Sequence, residues 1–443
     1  MMLARFMRLS LIITGLVLAL IIALQVQAAS SRIDVLTVKG TINPVLVDYI
    51  ERGIEQAEDD GALAVIIELD TPGGLDTAMR DIIQKIVNAR VPVVVYVSPS
   101  GARAASAGLY ITLSAHVAVM APNTATGAAT PIALGDDGEA AMSDELKAKV
   151  INDAVAYARS LAESHDRNAD WAERAVREGV SVTEREALDL KVIDMIAPDL
   201  NTLVAQLDGR ELTLLSEQVV TLDTEGATIN RVSMRVIENF LYTIADPNIA
   251  YLLLSLATLG IMVEIFNPGL IFPGVVGGIC GILAFYALGQ LPVNIAGVLL
   301  IVLAFGLFIG EVLTTTFGLF TAGGATALVI GSLILFHGAS PVFRVDPWLI
   351  AGVTIFIAAV FAFVVQRAIR AHRRQARTGR EELIGKKAVV KVALVPQGTI
   401  FYKGERWAAI SEEGRIEPGE EVIITKVDGL TLYVTKSDKE VNK

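Results

Sequence analysis

A serine surrounded by very small residues is the first group in this chain whose setting suggests chemistry. Ser106 lies within residues 101–110 (GARAASAGLY), shortly after the apolar run of residues 91–97. A strand, a short loop and a helix that starts at Ser106 would bring its hydroxyl close to the unpaired N–H groups of that helix. The small neighbours would also let a substrate approach closely. The alternative is a tightly packed helix with an incidental serine, because small-residue runs are common packing devices.

Two consecutive glycines form a second candidate feature. The motif Asp70-Thr-Pro-Gly-Gly74 ends the apolar run of residues 64–69. Gly73 and Gly74 can adopt backbone conformations closed to other residues, and this exposes their N–H groups. Together with the N–H of Ala107, these donors could stabilise the oxyanion of an acyl-transfer transition state. Alone, the motif also fits an ordinary strand-to-helix turn.

A nucleophilic serine needs a base, and the four histidines are poorly placed for that role. One begins the next apolar strand, one lies in a polar helix end, and two lie between or beyond the membrane segments: His116, His165, His337 and His372. Lysine is the remaining choice, because burial disfavours its charged form and lowers its pKa. After Ser106, the predicted exported part contains the lysines Lys147, Lys149 and Lys191.

Two of these lysines share a predicted helix over residues 143–163. Lys147 and Lys149 are two positions apart, so their side chains face different directions. Lys149 borders the apolar stripe of the helix, whereas Lys147 lies well away from it. Lys149 is therefore the better inward candidate, and the alternative that both lysines are solvated stays open.

The elements that must position these residues are predicted by alternating apolar runs and helical spacings. The predicted strands are residues 33–38, 64–69, 91–97 and 117–120, and the predicted helices are residues 44–58, 79–86, 143–163 and 169–178, with a helical turn and a short strand within 182–197. Continuous apolar strands alternating with helices indicate a parallel sheet covered on both faces.

The first 29 residues are typical of a secretory signal peptide. Arg5 and Arg8 precede an apolar run over residues 9–24, and small residues follow it. An uncleaved signal anchor is the alternative. In either case, we expect the segment that follows to be exported.

The composition changes sharply near residue 248. Five apolar stretches, roughly residues 249–265, 270–288, 293–309, 319–336 and 349–365, each approach the length that crosses a bilayer. Four spans plus one re-entrant segment is the alternative. An arginine-rich cluster over residues 367–380 follows the last stretch, and the positive-inside rule predicts that it is cytoplasmic. Five spans that start from an exported domain agree with this orientation.

The last segment, residues 383–443, predicts a small barrel. Five short strand-like runs separated by turn residues suggest a closed barrel of the OB type. Its acidic residues and few aromatic side chains disfavour binding of nucleic acid, and a protein-docking role fits better.

Charge and residue usage narrow the function classes further. The chain has 443 residues, 53% of them hydrophobic, and its formal net charge is −11, which disfavours a nucleic-acid partner. Its one cysteine, Cys280, excludes an internal disulfide. The histidines show no metal-ligand spacing, so we expect no metal and no cofactor.

Several motifs and the domain order together resemble the NfeD family of membrane-bound serine proteases. The matching motifs are Asp70-Thr-Pro-Gly-Gly74, Ala104-Ala-Ser-Ala-Gly108 and Lys149-Val-Ile-Asn-Asp-Ala154. Residues 33–197 look like the Clp-protease/crotonase α/β fold. The resemblance implies a signal peptide (1–29), a Clp/crotonase-like protease domain (30–245), a transmembrane region of about five helices (246–367), a basic linker (368–382) and an OB-like domain (383–443).

The resemblance also implies roles for individual residues and for partners. Ser106 would be the nucleophile and Lys149 the base, and Gly73, Gly74 and Ala107 would donate to the oxyanion. The expected substrate is a hydrophobic segment near the C-terminus of a stomatin/prohibitin-like membrane protein, and a Clp-like fold implies a homo-oligomer. The protease domain would lie on the exported side of a bacterial-type cell membrane and the OB-like domain in the cytoplasm.

Two other functions stay open at this point. The chain could be a scaffold that organises stomatin-like membrane partners with little or no proteolysis. Transport through the spans is disfavoured, because ion and proton pathways generally need ionisable residues and none lies deep within these stretches.

Overall fold

The chain was analysed as a computed structural model, and the structure describes residues 32–131, 143–215, 218–266, 269–314, 318–336, 343–372 and 380–437. The predicted signal peptide and residues 373–379 of the predicted basic linker lie outside the described residues. The chain divides into two units, Met1–Ala358 and Ala359–Lys443, and each is described by itself.

The first unit contains eleven described strands and nearly all of the helices. The strands are β1 (Arg32–Lys39), β2 (Ala64–Asp70), β3 (Val93–Val97), β4 (Arg103–Ala105), β5 (Val117–Met120), β6 (Ala125–Gly127), β7 (Ser181–Thr183), β8 (Met195–Ile196), β9 (Glu211–Thr213), β10 (Val219–Thr221) and β11 (Thr228–Val232). The helices before the membrane region are α1 (Pro44–Asp59), α2 (Asp76–Val87), α3 (Ala107–Leu113), α4 (Asp144–Glu163), α5 (Ala169–Arg177), α6 (Glu184–Asp189), α7 (Leu200–Leu207) and α8 (Val236–Ile244).

A six-stranded parallel sheet forms the centre of the first unit. Its order is β11-β1-β2-β3-β5-β8, and every neighbouring pair is parallel. Alternate residues of one strand enter opposite cores: Leu36 packs in the core that contains α1 to α5, and Val35 packs in the core that contains α7. Burial of both faces explains the continuous apolar strands, and the predicted covered parallel sheet is confirmed.

A second, smaller sheet was not predicted. Strands β4 and β6 pair in parallel, and β7 pairs antiparallel with β6. A further bridge joins Thr71, directly after β2, to Ala104 of β4. This side sheet therefore fixes the segment before Ser106 to the carboxyl end of the main sheet.

The membrane region contains five apolar helices: α9 (Pro247–Phe266), α10 (Ile271–Gly289), α11 (Ile295–Leu313), α12 (Leu319–Ile334) and α13 (Pro347–His372). Among the described residues, three segments are long and apolar enough to cross a membrane: Pro247–Ile265, Ile271–Gly289 and Ile295–Leu313. Two shorter apolar segments follow, Leu319–Ile334 and Pro347–Phe363. Five spans therefore stay a prediction.

The second unit contains a closed five-stranded barrel, as predicted. Its strands are β12 (Lys387–Val392), β13 (Gln397–Tyr402), β14 (Glu405–Ser411), β15 (Glu421–Asp428) and β16 (Thr431–Lys436). They close in the order β12-β13-β14-β16-β15, around a core of ten buried apolar residues.

Candidate active site

Ser106 lies at a sharp turn between strand β4 and helix α3. It is the N-cap of α3, and the predicted helix start is confirmed. Its φ of 53° and ψ of −116° are unusual for a residue with a side chain, and such strain occurs preferentially at functional sites. The hydroxyl makes no capping hydrogen bond with the helix. This turn therefore presents an available hydroxyl at a helix N-terminus.

Close packing explains why the residues around Ser106 are so small. Gly73 has a φ of +121°, and a Cβ built there would lie 2.8 Å from the Cβ of Ser106. A Cβ at Gly108 would lie 2.6 Å from Cγ2 of Thr71. The glycines thus let the turn after β2 press against the serine and the first turn of α3. The packing and catalytic interpretations of this segment are compatible.

The three predicted oxyanion donors differ in their hydrogen bonding. The N–H of Gly73 donates to Oγ1 of Thr71 at 3.0 Å, so this donor is already engaged. Among the described residues, the N–H groups of Gly74 and Ala107 have no acceptor. Gly74 and Ala107 also line the same cavity as Ser106, and Gly73 does not. The geometry therefore favours Gly74 and Ala107 over Gly73 as donors to a bound group.

A cavity of about 560 Å³ brings Ser106 together with Lys149. Its lining is mostly apolar: Gly74, Leu75, Asp76, Met79, Arg80, Ser106, Ala107, Tyr110, Ala129, Pro131, Lys149, Val150, Asp153, Ala154 and Phe343. Lys147 is not part of this lining. Both lysines are exposed, as in the alternative that both are solvated, but Lys149 lines the cavity and forms no ion pair with a described residue. Residues 132–142, which precede α4, lie outside the described residues.

An aromatic and ionic cluster holds α2 against α4 at this cavity. Arg80 forms ion pairs with Asp76 at 2.9 Å and Asp153 at 2.6 Å, and its guanidinium lies 4.6 Å from the ring centroid of Tyr157. Tyr157 stacks on Tyr110, with their ring centroids 6.0 Å apart. The sequence analysis missed Arg80 and Asp153, because no short spacing in the sequence connects α2 to α4.

Tyr110 is a structural hydroxyl rather than a base. Its hydroxyl donates to the carbonyl of Ala154 at 3.3 Å. Burial raises the pKa of Tyr110 far above its usual value, so the phenol stays protonated at neutral pH. Arg103, three residues before Ser106, is exposed and does not line the cavity.

His116 and His165 lie at the opposite end of the sheet. Nδ1 of His116 accepts from the N–H of Val93, the first residue of β3, at 3.1 Å. The ring of His165 packs edge-on against His116 at a centroid distance of 6.0 Å. Burial, reinforced by the charge of Arg167, lowers the pKa of both histidines to about 4. Because Ser106 follows the carboxyl ends of the strands, both histidines lie at the other end of the sheet from it.

A buried arginine completes this amino-end cluster. Arg167 donates to the carbonyl of Leu113 at 2.8 Å and to Asp194 at 2.7 Å. Asp194 in turn accepts from the N–H of Ala118 in β5. Within the described part of the chain, no three histidine, cysteine, aspartate or glutamate residues are grouped as metal ligands.

Comparison with known proteins gives matches along most of the chain. Three family models match: "NfeD1b, N-terminal domain" over residues 32–231, "NfeD integral membrane domain" over 248–367 and "NfeD-like C-terminal, partner-binding domain" over 380–436. The membrane-bound protease PH1510 of Pyrococcus horikoshii is 41% identical over 420 residues, which cover 93% of this chain and 95% of that protein. Membrane protein NfeD1b of Bacillus subtilis is 28% identical over 437 residues, covering 93% and 94%.

A solved structure also resembles the first domain. It is a lysine-to-alanine mutant of the 1510-N membrane-bound stomatin-specific protease in complex with a substrate peptide. It is 36% identical and has a TM-score of 0.46, covering 49% of this chain and 98% of that one. With the sheet and barrel described above, the expected fold class is confirmed: an α/β Clp/crotonase-like domain, a helical membrane region and a small OB-like barrel.

Proposed function

The chain belongs to the NfeD family, and from this membership we propose that it is a membrane-bound serine endopeptidase that uses Ser106 and Lys149. One observation carries the proposal. A strained, unpaired serine hydroxyl, an unpaired lysine amine and two free backbone N–H groups share one cavity. These are the groups that acyl transfer needs: a nucleophile, a base and an oxyanion site.

The proposed reaction begins with attack of Oγ of Ser106 on a peptide carbonyl carbon. Nζ of Lys149 takes the serine proton, and the carbonyl oxygen becomes an oxyanion that accepts from the N–H groups of Gly74 and Ala107. When the C–N bond breaks, the protonated Lys149 gives its proton to the leaving amine. Water then attacks the acyl-serine ester with Lys149 again as base, which releases the acid and regenerates Ser106.

Because Lys149 is exposed, the proposed mechanism also depends on the bound substrate, which would cover it. An ammonium group cannot accept a proton, so the amine must be neutral when Ser106 attacks. An apolar peptide segment in the cavity would cover Lys149 and exclude water from the site. The mostly apolar lining fits such a segment. Hydrophobic substrate segments are therefore part of the proposal.

The proposed substrate is a stomatin-like membrane protein. Support comes from the related 1510-N structure, which is named a stomatin-specific protease, and from the match of the barrel to a partner-binding domain. A site tethered beside membrane helices would meet membrane-embedded substrates at high effective concentration. We further propose that the protease domain lies on the exported side, that the barrel is cytoplasmic and that the chain forms a homo-oligomer.

Three variants of the full chain test the catalytic pair. Ser106→Ala and Lys149→Ala should each lower kcat for cleavage of an apolar peptide by at least about 10³-fold. Lys147→Ala is the matched control on the same helix and should keep activity within about twofold. Labelling by a serine-reactive fluorophosphonate should disappear with Ser106→Ala. Undiminished cleavage by either catalytic variant removes that residue from the mechanism.

Organisation of partners without proteolysis is a second candidate, favoured by the partner-binding match over residues 380–436. It predicts that Ser106→Ala keeps co-purification with a stomatin-like protein and the cellular phenotype, whereas deletion of residues 383–443 abolishes both. A phenotype lost with Ser106→Ala and kept after the deletion rejects this candidate.

A further inference from the structure

A residue of the membrane region belongs to the wall of the catalytic cavity. Phe343 lies in the connection between α12 and α13, far along the chain from the protease domain. Its side chain is only 3% exposed, and it lines the cavity that contains Ser106 and Lys149. A nearly buried ring is a packed part of a wall rather than a mobile occupant.

Phe343 also separates the catalytic cavity from a second one. This second cavity, of about 430 Å³, lies where the protease domain meets the membrane helices, and its lining includes Tyr242, Ile249, Leu291 and Phe343. Phe343 is the only residue shared by the two described linings. Loss of its ring would therefore open the catalytic cavity toward the membrane junction.

Hydrogen bonds fix the segment that carries Phe343. The N–H of Asp346 donates to Oδ1 of Asn248 at the start of α9, at 2.8 Å. Oδ1 of Asp346 accepts from the N–H of Trp348 in the first turn of α13, at 2.7 Å. The ring is therefore held by the same junction that joins α9 to α13. Such support makes a side chain suitable for selecting a ligand by shape.

We propose that Phe343 is a specificity-determining residue that forms one wall of an apolar subsite beside Ser106. The subsite receives a large apolar side chain of the peptide, and its other walls are Leu75, Met79 and Val150. The membrane region thus takes part in choosing the peptide that the protease domain cuts. This inference rests on the proposed peptidase function and goes beyond it, because it assigns substrate selection to a residue outside the protease domain.

The first experiment compares peptides that differ only in one side chain, leucine or alanine, next to the cleaved bond. With the full chain in lipid vesicles, Phe343→Ala should lower kcat/KM for the leucine peptide about tenfold and for the alanine peptide less than twofold, because only the leucine contacts the ring. Phe343→Leu should retain most of the preference. Fluorophosphonate labelling of Ser106 verifies in each variant that the site is intact.

Phe336→Ala is the matched control. Phe336 is 2% exposed, lies at the end of α12 and does not line the catalytic cavity. Its loss should leave the ratio of the two kcat/KM values unchanged. An unchanged ratio in Phe343→Ala, with labelling retained, overturns the inference.

A second experiment does not require catalysis. In a Ser106→Ala chain, p-benzoylphenylalanine in place of Phe343 should form a photo-adduct with the leucine peptide, and the same group in place of Phe336 should not. An adduct without any cleavage by the unaltered chain rejects the peptidase function and keeps the subsite. Cleavage without an adduct at position 343 keeps the function and rejects the subsite.

Discussion

Both ends of the main sheet contain polar side chains. They are unpaired and beside a cavity at one end, and buried at the other. At the carboxyl end, the side chains of Ser106 and Lys149 make no hydrogen bond or ion pair with a described residue, and they share a cavity. At the amino end, His116 and His165 are buried, and the ion pair of Arg167 with Asp194 closes the cluster. Histidine is the more usual base, yet here it is the lysine that is accessible. The proposed reactivity of Ser106 and Lys149 therefore depends on their unpaired side chains and the adjoining cavity, and not on residue type alone.

Helix α3 connects these two ends. Ser106 caps its N-terminus, and the carbonyl of Leu113 in its last turn accepts from Arg167. A cation near a helix C-terminus and a polar group near its N-terminus both agree with the helix dipole. The amino-end cluster therefore anchors the helix that begins at Ser106.

The largest effect is expected when Arg167, which anchors α3, is replaced. Arg167→Met should lower the free energy of opening of α3 by about 3 kcal/mol, because it leaves Asp194 and two backbone carbonyls without their cation. Hydrogen exchange of the α3 amides in the full chain measures this. Arg174→Met, which removes an exposed ion pair with Glu178, is the control and should change it by less than about 0.5 kcal/mol. Equal effects of the two variants contradict an anchoring role.

A smaller effect is expected from a change beside the nucleophile. Gly73→Ala should reduce kcat about 10²-fold, because the new Cβ, 2.8 Å from the Cβ of Ser106, displaces the serine from its oxyanion donors. Gly61→Ala is the control, since Gly61 also has a positive φ, of +67°, but open space around it. It should destabilise the fold by about 1 kcal/mol without changing kcat. Normal cleavage by Gly73→Ala would contradict the close approach at this site.

The smallest expected effect is a pH dependence of the amino end. The pKa of His116 and His165 is about 4 in the folded chain, below the ordinary 6.5. The unfolded chain therefore binds protons first as pH falls, and stability is lost from about pH 6.5 down to about pH 4. Urea titration with limited proteolysis should show this loss of stability across the same window.

The variant His116→Asn/His165→Asn gives the matched comparison for that titration. Without the two imidazoles, the stability of the protease domain should vary much less between pH 6.5 and pH 4. An equally steep loss in this variant would assign the pH dependence to the carboxylates instead.

Strongly apolar elements could be predicted from the sequence, and short or mixed ones could not. Strands β2, β3 and β5 are largely continuous apolar runs, β1 contains four apolar residues between its polar ones, and the five barrel strands have turn residues between them. Strands β4, β6 and β7 have only three residues each, too few to show a periodic pattern, and β4 and β6 contain alanine and glycine, which strands disfavour. They were missed, although they position Ser106.

The residues of the candidate site also differ in whether they could be predicted from the sequence. Ser106 and the glycine pair were identified because their small neighbours are adjacent in the chain. Lys149 followed from helical spacing and from exclusion of histidine. Phe343 and Arg80 could not be found, because their relation to the cavity depends on how distant segments pack. A local sequence pattern does not indicate which distant residue will contact a given side chain.

The positive φ of Ser106 implies that stability and the proposed activity favour different residues at this turn. A non-glycine residue in such a conformation costs about 1–3 kcal/mol, a large fraction of the net stability of a domain. Glycine at this position would relieve the strain but would remove the hydroxyl. The chain is therefore less stable than it would be with glycine at position 106, the turn where the serine hydroxyl faces the cavity. Selection for stability alone would favour glycine here, so a serine at this turn fits the proposed catalytic role.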